Sequence, residues 1–201
     1  MKQRLTKILF TLTLALLGLQ AHALTLTPGF IDGAACVYDP DPNATCWSGT
    51  DPKNPKAGDI MTLTGATDLV ELYKAEVPQA EGDPVTEEGA FAPYYTTEFF
   101  NTPLDPMDAT ITHDLLDDPS IGCPDCFLLV KDGDQDPNWY VFDIGFWNGT
   151  DAIFLEDFWP NQGAISHISI FGKSWNVPEP APLALISLGL LGIGLARKRT
   201  A

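Results

Sequence analysis

Positive charge is the scarcest resource in this 201-residue chain. Six of its 11 lysines and arginines sit at the two ends: Lys2, Arg4 and Lys7, then Arg197, Lys198 and Arg199. Only Lys53, Lys56, Lys74, Lys131 and Lys173 lie between them. All 27 acidic residues fall between Asp32 and Glu179, so five lysines against 27 carboxylates leave that stretch at −22. Such a polyanion repels phosphate backbones and anionic lipid, which excludes nucleic acid as a partner. Histidine is nearly absent too: past His22 there are only His113 and His167. The chain has no G-x-S-x-G, no H-E-x-x-H and no glycine-rich phosphate loop, so the sequence signatures of those nucleophile, zinc-hydrolase and nucleotide sites are missing. Away from the ends no helical stripe exceeds two turns, which argues against an all-α fold.

What is present is a folded middle between two addressing devices. Aromatic residues make up 10% of the chain, too many for a disordered acidic tail. Residues 1–23 read as a signal peptide: a basic start, an apolar core from Ile8 to Leu19, and the A-x-A site Ala21-His22-Ala23. Cleavage there makes Leu24 the mature N-terminus and implies the Sec machinery and signal peptidase as partners. Residues 24–176 form the exported acidic domain, long enough for one core.

Within that domain the pattern is of short strands between turn clusters. Leu24 to Leu26, Leu69 to Tyr73, Tyr94 to Phe100, Ala109 to His113, Phe127 to Val130, Trp139 to Phe142, Asp143 to Phe146, Ala152 to Leu155 and Ala164 to Ile170 all read as strands. Ile60 and Leu63 suggest a further one, closed by Gly65-Ala66-Thr67-Asp68. The acidic segment from Pro78 to Gly89 reads as a mobile loop. The expected fold is all-β, an antiparallel sandwich of jelly-roll-like or Ig-like type.

Four groups of residues are candidates for chemistry. Cys36, Cys46, Cys123 and Cys126 allow three disulfide connectivities, and export favours oxidation. The local pairs Cys36–Cys46 and Cys123–Cys126 are preferred. A reactive dithiol or half of a metal site at Cys123-x-x-Cys126 is the alternative, although a strand rather than a helix follows it. Asp132, Asp134 and Asp136 place carboxylates at alternate positions around a turn, which suits calcium, but the EF-hand spacing fails. A solvated acidic hairpin is the plainer reading. Trp139, Trp147 and Trp159 are candidate glycan contacts, because an exposed indole stacks on a sugar; packing in the core is the alternative. His113 and His167 lie in strand segments, and no pair of carboxylates stands out for glycoside hydrolysis. A non-enzymatic protein is the expectation. A calcium-dependent glycan-binding module and a secreted hydrolase are the alternatives.

The C-terminal end carries the most specific signal. Val177-Pro178-Glu179-Pro180 holds the chain extended, because proline cannot continue a helix. Leu183 to Ala196 is uncharged, with Ser187 its one polar residue, and as a helix would reach about 21 Å. The hydrocarbon core is about 30 Å thick, and snorkelling of Arg197, Lys198 and Arg199 helps bridge the difference. Those cations stay cytoplasmic by the positive-inside rule.

Motif, short transmembrane helix (183–196) and basic tip together resemble the PEP-CTERM sorting signal of Gram-negative bacteria, here residues 177–201. Trp147-Asn148-Gly149-Thr150, Phe158-Trp159-Pro160 and the Ser-His-Ile-Ser strand are likewise similar to the final β-region of many such proteins. The resemblance implies that an exosortase-type transpeptidase acts near Pro178-Glu179-Pro180. It further implies an intermediate anchored in the inner membrane, then a cell-surface or matrix location in contact with exopolysaccharide or biofilm.

Overall fold

A computed structural model of the chain describes residues 23–36, 44–80, 82–100, 106–114, 119–133, 135–160 and 163–173. The signal segment up to residue 22, the sorting motif, the apolar run and the basic tip lie outside the described residues.

Twelve strands and one helix make up the regular elements of this part, besides a 3-10 turn at Ala92–Tyr94. The strands form two six-stranded sheets. The first contains β1 (Leu24–Thr27), β2 (Phe30–Ile31), β3 (Ala34–Ala35), β7 (Tyr95–Phe100), β8 (Asp108–His113) and β11 (Ile153–Leu155), in the order β3-β2-β1-β11-β8-β7. The second contains β4 (Cys46–Gly49), β5 (Leu69–Glu76), β6 (Thr86–Glu88), β9 (Phe127–Asp132), β10 (Trp139–Asp143) and β12 (Ile165–Lys173), in the order β4-β10-β9-β12-β5-β6. Every pairing is antiparallel except β1 with β11, where Leu24 and Leu26 lie beside Ile153 and Leu155. The architecture is sandwich-like and mostly β, as the strand spacing predicts.

Alternation places one side chain in two on the inner face of each sheet. Leu26, Ile111 and Ile153 from the first sheet meet Leu72, Leu128, Val130, Phe142, Ile168 and Ile170 from the second in one buried cluster. Strand β9 is buried along its whole length. Its Leu128 and Val130 belong to this inner cluster, while Phe127 and Leu129 belong to another on the far side of the second sheet. A strand covered on both faces reads as a continuous apolar run, which is what Phe127-Leu128-Leu129-Val130 shows.

The cover on that far side is the helix α1 (Ala57–Thr64), whose Ile60 is fully buried against Trp47, Trp139, Val141 and Phe171. Here the structure corrects the expected strand at Ile60 and Leu63. A spacing of three is a helical spacing, and both ends of the segment carry helix signals. Asp59 Oδ2 accepts the Lys56 backbone N–H at 2.8 Å, and Gly65 closes the helix at φ 76° with its N–H on the Met61 carbonyl. The segment from Asp143 to Phe146 also departs from expectation, since β10 ends at Asp143. The acidic stretch from Pro78 to Gly89, expected to be a mobile loop, contains β6, which pairs with β5 from Thr86 to Glu88.

Candidate functional site

Both preferred disulfides are present. Cys36–Cys46 and Cys123–Cys126 have Cα separations of 5.5 and 4.9 Å, within the usual range. The first joins the residue after β3 to the start of β4, tying an edge of one sheet to an edge of the other. The second precedes β9, and its Cys126 is fully buried in the inner cluster.

The tryptophans proposed as sugar platforms are packed inside. Trp139, Trp147 and Trp159 keep only 5, 5 and 8% of their surface exposed. Each indole N–H donates to a backbone carbonyl: Trp139 to Pro52 at 3.1 Å, Trp147 to Asp151 at 2.8 Å and Trp159 to Pro137 at 2.8 Å. Trp159 also packs among Tyr140 and Phe158, with ring centroids at 5.4 and 5.7 Å. The glycan-contact reading of Trp147 and Trp159 is therefore corrected, since both pack in the inner cluster. Trp139, equally buried, borders a pocket with Pro52, Pro55, Ile60 and Leu63 beside α1. Sequence pattern could not separate the two readings, because a buried and an exposed indole follow the same alternation.

Of the acidic triplet, Asp132 is buried and Asp136 is exposed, while Asp134 lies outside the described residues. The Asp132 carboxylate accepts the backbone N–H of Gln135 at 3.1 Å and of Ala164 at 2.5 Å. It joins the β9–β10 turn to the approach of β12. Among the described residues no group of three histidine, cysteine or acidic side chains is placed to hold a metal ion.

The two histidines belong to different sheets. His113, on β8, packs edge-on to Tyr95 at 5.0 Å, with Nε2 3.3 Å from the Pro119 carbonyl oxygen. His167 stands on β12, opposite Lys131 of β9 and Glu76 of β5. Burial, and then Lys74 and Lys131, push its imidazole down to about 4 against the opposing pull of Glu76, so it is neutral at pH 7.

His167 also lines a pocket of about 410 Å³ with Asn54, Lys56, Glu71, Lys74 and Phe171. The pocket opens on the outer face of the second sheet, where α1 begins. Sequence reasoning did not assemble it. The one available signal was the scarcity of lysine, which makes any meeting of two lysines notable in this chain.

An acidic, disulfide-closed β-sandwich followed by a Pro-rich motif, an apolar run and a basic tip has the plan of an exported protein. Residues 176–199 match the family model of the PEP-CTERM protein-sorting motif. The chain carries that sorting tail, which implies exosortase-type processing and a surface or extracellular location. No curated protein and no solved structure matches the chain.

Proposed function

We propose that the protein is a non-enzymatic component of the cell surface or extracellular matrix, held in association with exopolysaccharide. The observation that carries this reading is the sorting tail at residues 176–199, behind a domain whose cysteines, histidines and Asp132 have structural contacts among the described residues. Its four cysteines form two disulfides, and His113 and His167 stand in separate sheets. The buried Asp132 organises backbone. The strong negative charge keeps such a domain soluble and self-repelling outside the cell. Strand β1 opens at Leu24, so cleavage after Ala23 leaves the whole strand in the mature chain.

The test is intact mass spectrometry of the protein recovered from its native cells, combined with enzymatic digestion of the surface polysaccharide. A mass running from Leu24 to the region of Pro178–Pro180, in material released by the digestion, supports the proposal. A mass that retains residues 183–201 in the membrane fraction, unmoved by the digestion, means a plain membrane anchor and removes it.

A further inference from the structure

The few cations of the acidic domain are gathered rather than scattered. Of its five lysines, Lys56 and Lys74 line the pocket beside His167, and Lys131 stands opposite His167 in register. Three elements build the pocket. Asn54, Pro55, Lys56 and Ala57 come from the entry to α1, Glu71 and Lys74 from β5, and His167 and Phe171 from β12. Pro55 and Phe171 supply apolar wall, and Asn54 supplies an amide.

A second observation points to the same place. Ser169 lies between His167 and Phe171 on the same face of β12 and pairs in register with Lys74. It is 1% exposed, and its hydroxyl has no hydrogen-bond partner. A buried hydroxyl without a partner is costly and uncommon in a finished core. It stands next to Lys74 in register, between two residues that line the pocket, although it does not line the pocket itself. Lys74 itself is paired with Glu76, so a ligand carboxylate shares its ammonium with that side chain. The exposed Lys56, which has no ion pair among the described residues, is the contact to test first.

We propose that this pocket binds a carboxylate-bearing sugar residue, with Lys56 and Lys74 contacting the carboxylate and Asn54 and Glu71 the hydroxyls. In a domain at −22, an anion is otherwise repelled over most of the surface, so local cations decide where it settles. The walls of Pro55 and Phe171 accept the carbon face of a ring, as pockets with a few polar groups on an apolar lining do. The pocket does not depend on the sorting tail, and its test is separate from the test of matrix location.

The experiment titrates the protein recovered from its native cells with sodium glucuronate, an oligoglucuronate and glucose, following the imidazole signals of His167 and His113 by NMR. The charged and titratable groups around His167 are Lys74, Glu76 and Glu71 of β5, Lys131 of β9 and Lys56 at the entry to α1. A bound carboxylate adds negative charge among them, so the His167 titration moves upward from about 4 while the His113 signals stay in place. K56Q and K74Q each weaken glucuronate binding by about tenfold, the loss expected for one charge-assisted contact. Lys56 is exposed, so K56Q tests the contact without disturbing the core. Tighter binding of the oligomer assigns a polysaccharide chain as the source, and equal binding assigns a free sugar acid; either supports the pocket. No change at His167 up to about 10 mM glucuronate, an equal response to glucose, or oligomer binding indifferent to both substitutions overturns it.

Discussion

The Tyr73 hydroxyl of β5 lies 2.7 Å from the Thr97 hydroxyl of β7, joining the two sheets through the buried interior. Glu87 of β6 completes the group: its Oε1 accepts the Tyr73 O–H at 2.8 Å and the Thr97 backbone N–H at 2.7 Å. One phenolic proton serves Glu87, so the Thr97 hydroxyl donates to Tyr73. Burial, foremost, raises the Tyr73 phenol above its ordinary pKa and keeps it a neutral donor. Y73F should cost about 2 kcal/mol, because a hydrogen bond to a carboxylate is lost and buried polar atoms are left behind. T97V should cost less. In a double-mutant cycle read by urea unfolding the two should couple by more than about 0.5 kcal/mol. Strict additivity would show that the sheets are not joined here.

Tyr95 makes a similar junction within the same interior. Its hydroxyl donates to the Gly149 carbonyl at 2.5 Å and accepts the Ile121 N–H at 2.8 Å. Burial pushes the phenol up to about 12, the Ile121 bond pulling slightly the other way. In the unfolded chain a tyrosine ionises near 10. The folded state therefore holds its proton longer, and this contribution is complete below about pH 10 and lost as the pH rises through about 12. Urea midpoints at about pH 8, 10 and 11 should fall steeply over the last step. Y95F should start lower, by about 2 kcal/mol, and lose less over that step. An identical slope in Y95F would place the alkaline transition elsewhere.

The two-sheet plan and most strands were legible in the sequence, because alternation and turn residues act locally. Leu24, Phe127 and Trp139 all begin strands where the pattern puts them. The rest was missed for two reasons, short length and contacts distant in sequence. Ile60 and Leu63 belong to an eight-residue helix, too short for periodicity to separate from a strand, although its local end signals at Asp59 and Gly65 were there to read. Strand β6 exists although Thr86-Glu87-Glu88 is polar, since Glu87 is held by Tyr73 and Thr97, 14 and 10 residues away. The pocket at His167 gathers residues from three separate segments, and no single stretch announces it. The sorting tail was legible in full, because its parts are contiguous.

The two disulfides should differ in weight. Cys36–Cys46 has a sequence separation of 10 and links the edges of both sheets, whereas Cys123–Cys126 has a separation of three. Loop-closure entropy gives about 3 kcal/mol for the first and about 2 kcal/mol for the second. C36S/C46S should therefore lower the urea midpoint more than C123S/C126S. The reverse order would show that packing of the buried Cys126, rather than chain restriction, sets the contribution of that pair.

Asp132 decides between a turn and a metal site. Its two carboxylate oxygens face the N–H groups of Gln135 and Ala164, and a carboxylate that organises backbone in this way should hold its place with no cation present. D132N preserves the shape and lowers the charge, and D132A removes the acceptors altogether. D132A should cost about 2 kcal/mol or more, since the buried donors lose a charged partner, and D132N about half as much. Both losses should be equal in calcium and in chelator, with the parent melting at one temperature in either buffer. A calcium-dependent rise in melting temperature in the parent that vanishes in D132N would make the turn a cation site. In that case the hydrogen bonds to Gln135 and Ala164 would be the outer support of a metal ligand, because a ligating carboxylate can use its remaining lone pairs on backbone donors.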